Sequence, residues 1–491
     1  MRMWTKTVGV GLAVLLAAGL VGCGEDAARG PRWCPEVAGH RVECGVMARP
    51  LVDGKPELGS VEVGYAMVRH AGTGAAAGTV LPNPGGPGVP LISRAAEAVQ
   101  VAGALLGDHD LLLIDPRGTG VSSPLNCGVG NDEFQYGTRE QQIEAVGRCG
   151  AQLGPRAAGY TSAATVDDFD AVRERLGIRK LVLYGISYGT YLLPVYAQRH
   201  PEHVRSIVLS GAYPPDFDRL QRPNAEAVSL ALHRICERSR ACDGDTAVAD
   251  LRAVAARLRA EPIRVAGPHP ILLTEGEFGN LVFETGSTNV GADPQAMTPL
   301  GMLPAALHEA ARGNDGPLRE FTERAASEPA YENIDLYITV ACNDYPTLWA
   351  PQASLAERER QYRRAVSGVE LGAFSGEGFG AAQRDGGEVC VRWRSASHPR
   401  PDQLTAPLPD VPVLVLSGDL DAITPDANGE RAAARFRHAR FVSVPNTGHV
   451  PDLEPSGCVV GMIERFVRTG TPGPTECVAA LPPIAVTPVT N

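Results

Sequence analysis

The pentapeptide Gly185-Ile186-Ser187-Tyr188-Gly189 constrains this chain more than any other stretch. It directly follows the apolar run Lys180-Leu181-Val182-Leu183-Tyr184 and precedes a segment with helical spacing. Between a strand and a helix, Gly-x-Ser-x-Gly makes a turn sharp enough to hold its serine in strained backbone. Side chains at the two glycine positions would strike the neighbouring strand and helix. In a chain with 55 glycines the motif alone is a weak signal, so its surroundings decide its meaning.

Those surroundings alternate. Val61–His70 and Thr79–Leu81 read as strands, and a Pro/Gly-rich loop follows at Asn83–Val89. Ile92–Leu106 has helical spacing, and Asp110–Ile114 reads as a strand covered on both faces. Thr165 with Asp168 predicts a capping box before an amphipathic stretch to Leu176. After the elbow come a helix to about Arg199, with Pro194 predicting a kink, and a buried strand at Arg205–Leu209. Such alternation predicts an α/β fold with a mostly parallel sheet flanked by helices.

Near Pro214-Pro215 the pattern changes. Glu226–Arg238, Val248–Ala260, Leu300–Ala311 and Leu318–Ala326 all read as helices, an insertion of the kind that caps a cleft. Strands are expected again at Leu336–Val340, Val411–Leu416 and Arg440–Val444, and a Pro/Thr-rich tail after Gly470 is expected along the surface. The 491 residues therefore divide into a leader (1–22), the first part of the core (23–215), a helical cap (216–333) and the second part of the core (334–491).

A serine hydroxyl attacks only when a base takes its proton, and a histidine base needs an acid to fix its tautomer. Ser187 has one histidine and two acids that sit just past expected strands. His449 follows Gly448 after the strand Arg440–Val444, whereas His40, His70, His200 and His203 are poorly placed. Asp419 and Asp421 both follow Val411–Leu416; Asp421 is preferred, with Asp419 shaping the turn. Acyl transfer also needs backbone N–H donors for the developing oxyanion. Tyr188 supplies one, and because Pro84 and Pro87 lack an N–H, Gly85 or Gly86 supplies the other, with Gly86 preferred. In Asp115-Pro116-Arg117-Gly118-Thr119-Gly120, Asp115 and Arg117 are expected to tie that loop to the oxyanion loop.

The first residues address the chain. Arg2 and Lys6 precede an apolar run, Val8–Val21, too short to span a bilayer comfortably, as in a secretory leader. Leu20-Val21-Gly22-Cys23 resembles a bacterial lipobox, which makes Cys23 the expected site of lipid attachment at the outer face of the cell membrane. Of eleven cysteines, ten remain, and pairing neighbours in sequence gives Cys34–Cys44, Cys127–Cys149, Cys236–Cys242, Cys342–Cys390 and Cys458–Cys477. No spacing points to a metal, and no cofactor is expected. A net charge of −11 without basic runs argues against a nucleic-acid partner.

Taken with Val340-Ala341-Cys342-Asn343-Asp344, Gly418–Pro425 and Gly448-His449, the Asn83–Gly88, Asp115–Gly120 and Gly185–Thr190 motifs resemble one family. It is the secreted tripeptidyl aminopeptidase and prolyl iminopeptidase branch of the α/β-hydrolases, including lipoprotein serine peptidases of the carboxylesterase A type. The resemblance covers nearly the whole mature chain. It implies an α/β-hydrolase fold, a cap that limits access to peptide N-termini, and an order of Ser187, Asp421 and His449 along the chain. In that family the acid precedes a spacer and Thr-Pro, which matches Asp421 before Thr424-Pro425. Pro84 stands where prolyl iminopeptidases usually carry histidine, as in the tripeptidyl branch. The expected activity is that of an exported serine aminopeptidase acting on peptides. The alternatives are a carboxylesterase acting on small esters, or a non-catalytic binding lipoprotein. An aminopeptidase needs carboxylates for the substrate ammonium. Asp344, where the cap rejoins the core, comes up for that task, but a structural role beside a disulfide is preferred.

Overall fold

The apolar runs assemble into one eight-stranded sheet in the computed structural model, which describes residues 31–489 except 286, 328–331, 385–386, 395–399 and 404. The leader 1–22 and Cys23 lie outside the described residues. The strands are β1 (Val42–Pro50), β2 (Ser60–Val68), β3 (Gly78–Asn83), β4 (His109–Ile114), β5 (Leu181–Ile186), β6 (Val204–Ser210), β7 (Val413–Gly418) and β8 (Ala439–Val444). Their spatial order is β1-β2-β4-β3-β5-β6-β7-β8. β1–β2 and β2–β4 are antiparallel, and every later neighbour runs parallel.

The central strands are apolar throughout because helices cover both faces. One face packs Val182, Val208, Leu414 and Leu416 against α1 (Ala95–Ala102) and the helix Cys458–Thr469. The other packs Leu183, Leu209 and Val415 against α2 (Ser162–Arg175) and α3 (Tyr188–Arg199). α3 runs on through Pro194, which is buried. The expected helix Ile92–Leu106 is divided into a 3-10 turn, α1 and a second 3-10 stretch beginning at Gly103, whose φ is 53°.

The expected capping box falls one turn too late. Thr161 caps α2 by accepting the Ala164 amide at 3.1 Å, and Thr165 and Asp168 lie inside the helix. Asp168 is buried there and paired with Arg117 at 2.6 Å and Arg49 at 3.0 Å. Its polarity serves a tertiary ion pair rather than the helix end.

After β6 the chain leaves the sheet and returns only at β7. The intervening cap begins with α4 (Arg222–Ser239) and has its own apolar core, including Leu251, Leu303, Leu307 and Phe321. Leu336–Val340, expected as a strand, belongs to helix α5 (Ile334–Asp344). Asn333 caps it, its side chain accepting the Leu336 amide at 2.9 Å, and every residue of α5 is buried. A short apolar run that is buried all round reads alike as strand or helix, and the cap decides between them. α5 packs into the core, where the Tyr191 hydroxyl of α3 donates to its Asp344 carbonyl at 3.1 Å, whereas Leu371, Phe374 and Phe379 rejoin the cap. The tail after Gly470 follows the surface but buries Leu481 against the core and Ile484 within the cap. Disulfides join Cys34–Cys44, Cys127–Cys149, Cys236–Cys242, Cys342–Cys390 and Cys458–Cys477.

Candidate active site

Ser187 sits between β5 and α3 with φ 55° and ψ −125°, a strained conformation that lifts its hydroxyl clear of the sheet. The two motif glycines are steric necessities. A Cβ at Gly185 would collide with the Gly189 carbonyl, and one at Gly189 with the Asn83 carbonyl at the end of β3. The Ser187 amide donates to Ser210 at 3.0 Å, pinning the elbow to β6.

His449 and Asp421 come from the turns after β8 and β7, the two strands beyond β6. His449 Nε2 lies 2.8 Å from Ser187 Oγ, and Nδ1 lies 3.0 Å from Asp421 Oδ2. Asp421 is 2% exposed and its other oxygen accepts the Ile423 amide at 2.8 Å. Thr424 completes the cluster: its hydroxyl donates to Asp421 Oδ2 at 2.5 Å and lies 3.0 Å from His449 Nδ1. The sequence marked Thr424 only as part of a motif. Its direct contact with both partners emerges from the turn geometry.

Asp419 does separate work. It accepts the Asn446 amide at 2.8 Å and pairs with Arg238 of α4 at 2.5 Å, joining the acid loop, the histidine loop and the cap.

Two backbone amides are the candidates to receive an oxyanion at the serine. Tyr188 is the first residue of α3, so its N–H has no intrahelical acceptor and lies at the positive end of the helix dipole. Burial, with Asp344 nearby, pushes the Tyr188 hydroxyl well up, and that group is hydrogen-bonded to Ser162 at 2.7 Å. In the Asn83–Gly88 loop the Gly85 amide is already taken by the Asn83 side chain at 3.2 Å. That leaves the Gly86 amide, on the same cavity as Ser187, as the second candidate donor. Gly85 has a different task. A Cβ there would lie 2.9 Å from the Ser187 Cβ and 3.0 Å from the Tyr188 nitrogen, filling the space where an oxyanion must fit.

The expectation for Asp115 and Arg117 divides. Asp115 receives the Leu91 and Ile92 amides at 2.7 and 2.9 Å, and so anchors the chain just beyond the oxyanion loop. Thr119 adds a bond to the Gly88 carbonyl at 2.9 Å. Arg117 faces the opposite way, toward Asp168 and the Leu51 and Gly159 carbonyls, because those carbonyls and a buried carboxylate satisfy its guanidinium.

The serine opens onto a cavity of about 290 Å³ between core and cap. Tyr213, Phe217, Tyr337 and Tyr345 give it aromatic walls, and Glu284 and Glu332 place two carboxylates on it. Burial pushes the Glu284 carboxyl up, against the opposing pull of Arg384, Asn280 and His449. Neither glutamate is marked by a local pattern in the sequence. Asp344 is not on the cavity: it is buried in the core, where it accepts the Ser162 amide at 2.6 Å.

Comparison with known proteins agrees with this arrangement. Residues 78–236 match the α/β hydrolase fold model, and residues 376–477 match the model of TAP-like proteins. Ser187 falls in the first match, Asp421 and His449 in the second. The chain is 24% identical to the serine protease Hip1 of Mycobacterium tuberculosis over 473 residues, 88% of this chain and 86% of that protein. It is 28% identical to carboxylesterase B of the same species over 470 residues, 89% of this chain and 86% of that protein. Tripeptidyl aminopeptidase of Streptomyces lividans is 28% identical over 197 residues, 36% of this chain and 37% of the relative.

Proposed function

We propose that this chain, which belongs to the α/β-hydrolase family and is a serine hydrolase, acts as an aminopeptidase releasing short peptides from peptide N-termini. The observation that carries the reading is the hydrogen-bonded series Ser187, His449, Asp421, opening on a capped cavity that also presents Glu284 and Glu332.

In this reading Ser187 Oγ attacks the scissile carbonyl carbon while His449 Nε2 takes the hydroxyl proton. The carbonyl π electrons move to oxygen, and the amides of Tyr188 and Gly86 receive that charge. Asp421 holds the His449 tautomer and stabilises the imidazolium. The imidazolium then protonates the leaving amine, and the C–N bond breaks to leave an acyl-Ser187 ester. Water, deprotonated by His449, releases the peptide and restores the serine. The substrate ammonium has Glu284 as a partner, with Glu332, ion-paired to Arg94, also on the cavity wall.

Free-amine peptides, N-blocked peptides and simple esters assayed side by side test this. Turnover confined to free-amine peptides, weakened by Glu284→Gln through KM, is expected. Equal cleavage of N-blocked peptides would reject it. The relative named carboxylesterase B favours a second reading, in which esters turn over and peptides do not. Ser187→Ala should abolish turnover and fluorophosphonate labelling in either case.

The leader and lipobox support export with a lipid on Cys23, and the disulfides fit an oxidising compartment. Cys23→Ala should move the protein from the membrane to the soluble fraction; unchanged fractionation would count against the anchor.

A further inference from the structure

One cap residue touches both loops that carry the charge relay. Ser287 lies just after the cap turn Leu281–Thr285, is 1% exposed, and offers two acceptors. Its carbonyl oxygen receives the amide of His449 at 3.0 Å. Its hydroxyl oxygen receives the amide of Ala422, the residue after Asp421, at 2.8 Å. The same hydroxyl donates to the Phe283 carbonyl at 3.2 Å, which orients its lone pairs toward Ala422.

The fit around this residue is tight. Val290 receives the Gly448 amide at 2.9 Å, and a Cβ at Gly448 would collide with the Ser287 carbonyl. A Cβ at Gly291 would lie 2.6 Å from the Asn446 carbonyl. Leu420 and Thr447 join the two loops directly at 2.9 Å. The same short segment also carries Glu284 and Thr288 on the cavity wall. Contact with a substrate and contact with the relay are therefore a few residues apart on one piece of cap.

We propose that Ser287 is a positioning residue through which the cap sets the distance and angle between Asp421 and His449. The inference rests on the serine hydrolase reading above. It gives the cap a part in the chemistry itself, beyond choosing which substrates reach the serine. A cap that is displaced would leave the loop amides of Ala422, Gly448 and His449 without acceptors, and the relay would lose its geometry while Ser187 stays on its elbow.

The test follows the rate at which a fluorophosphonate labels Ser187 in the full purified chain, over a pH series, with melting temperature recorded alongside. Labelling measures activation of the nucleophile and needs no knowledge of the natural substrate. Ser287→Ala should slow labelling by about tenfold, the scale of one lost hydrogen bond acting through the relay, and should shift the pH midpoint. Thr298→Ala serves as the control, because Thr298 caps a cap helix by accepting the Gly301 amide at 3.3 Å and touches neither loop. It should lower the melting temperature with the labelling rate and pH midpoint unchanged. Ser287→Cys keeps the branching of the side chain while a larger, weaker-accepting sulfur replaces the oxygen, so it decides the matter if Ser287→Ala does not fold; intermediate slowing is expected. Wild-type labelling by folded Ser287→Ala or Ser287→Cys overturns the proposal, as does equal slowing by Thr298→Ala. Failure of the native chain to label at all refutes the hydrolase reading instead.

Discussion

Gly189 lies against the main-chain carbonyl of Asn83, so that the nucleophile elbow and the oxyanion loop are in contact with no room for a methyl group between them. The two halves of the site are thereby set by backbone packing before any side chain acts. Gly189→Ala must push β3 and α3 apart. It should cost about 1–3 kcal/mol in stability and slow fluorophosphonate labelling by roughly a hundredfold. Chemical denaturation and labelling of the same preparation check both. Near-native labelling would show that the elbow tolerates separation.

The two aspartates after β7 should part company on mutation. Asp421→Asn keeps the shape but offers His449 the wrong partner, and should lower kcat by roughly a thousandfold or more with a small change in melting temperature. Asp419→Asn weakens a half-buried pair with Arg238 and should cost about 1–2 kcal/mol while kcat stays within about tenfold. Thr424→Val, which removes a hydroxyl from both Asp421 and His449, should fall between them, near a tenfold loss in kcat.

Asp426 provides a pH signature. Burial raises its pKa to about 6, against the pull of Ser443 and Arg234, and its Oδ1 has no hydrogen-bond partner among the described residues. Because the folded value lies above the unfolded one near 3.8, its contribution to stability is fully present below about pH 4 and is lost as pH rises through about 6. Asp426→Asn should therefore flatten the stability profile between pH 4 and 7 and melt higher than the native chain at pH 8. The gain at pH 8 should be at most about 3 kcal/mol. A profile parallel to wild type would contradict the assignment.

The Cys342–Cys390 bridge closes a loop of 48 residues linking α5 to the segment that packs beside it. Loop entropy puts its loss at about 4 kcal/mol, so the Cys342→Ala/Cys390→Ala double variant should unfold at clearly lower urea under oxidising conditions. Removing Cys236–Cys242, separated by only 6 residues, should cost less.

Much of the site was legible because its requirements are local. The elbow announces itself through two glycines that nothing else can replace, and the acid and base through their places just past apolar strand runs. The cysteines pair with their sequence neighbours because a short loop costs little entropy to close. The exclusion of Pro84 and Pro87 as donors follows from their lacking an N–H, and the choice between Gly85 and Gly86 then turns on the Asn83 side chain, whose amide oxygen already occupies Gly85.

Other features have no local signature. Leu336–Val340 carries an apolar run that suits a buried strand or a buried helix equally, and the Asn333 cap together with packing into the core on all sides makes it a helix. Asp168 reads as a capping residue until Arg117 and Arg49 reach it from elsewhere in the chain. Glu284 and Ser287 look like ordinary insertion residues; only folding of the cap over the sheet brings one to the cavity and the other to His449 and Ala422. Local demands, steric and chemical, already single out Ser187, Asp421 and His449 as the residues to look for, since few alternatives fit within a few positions of each. How those side chains are held, and what lines the cavity beside them, depends on contacts across more than a hundred residues, which form only when whole layers pack.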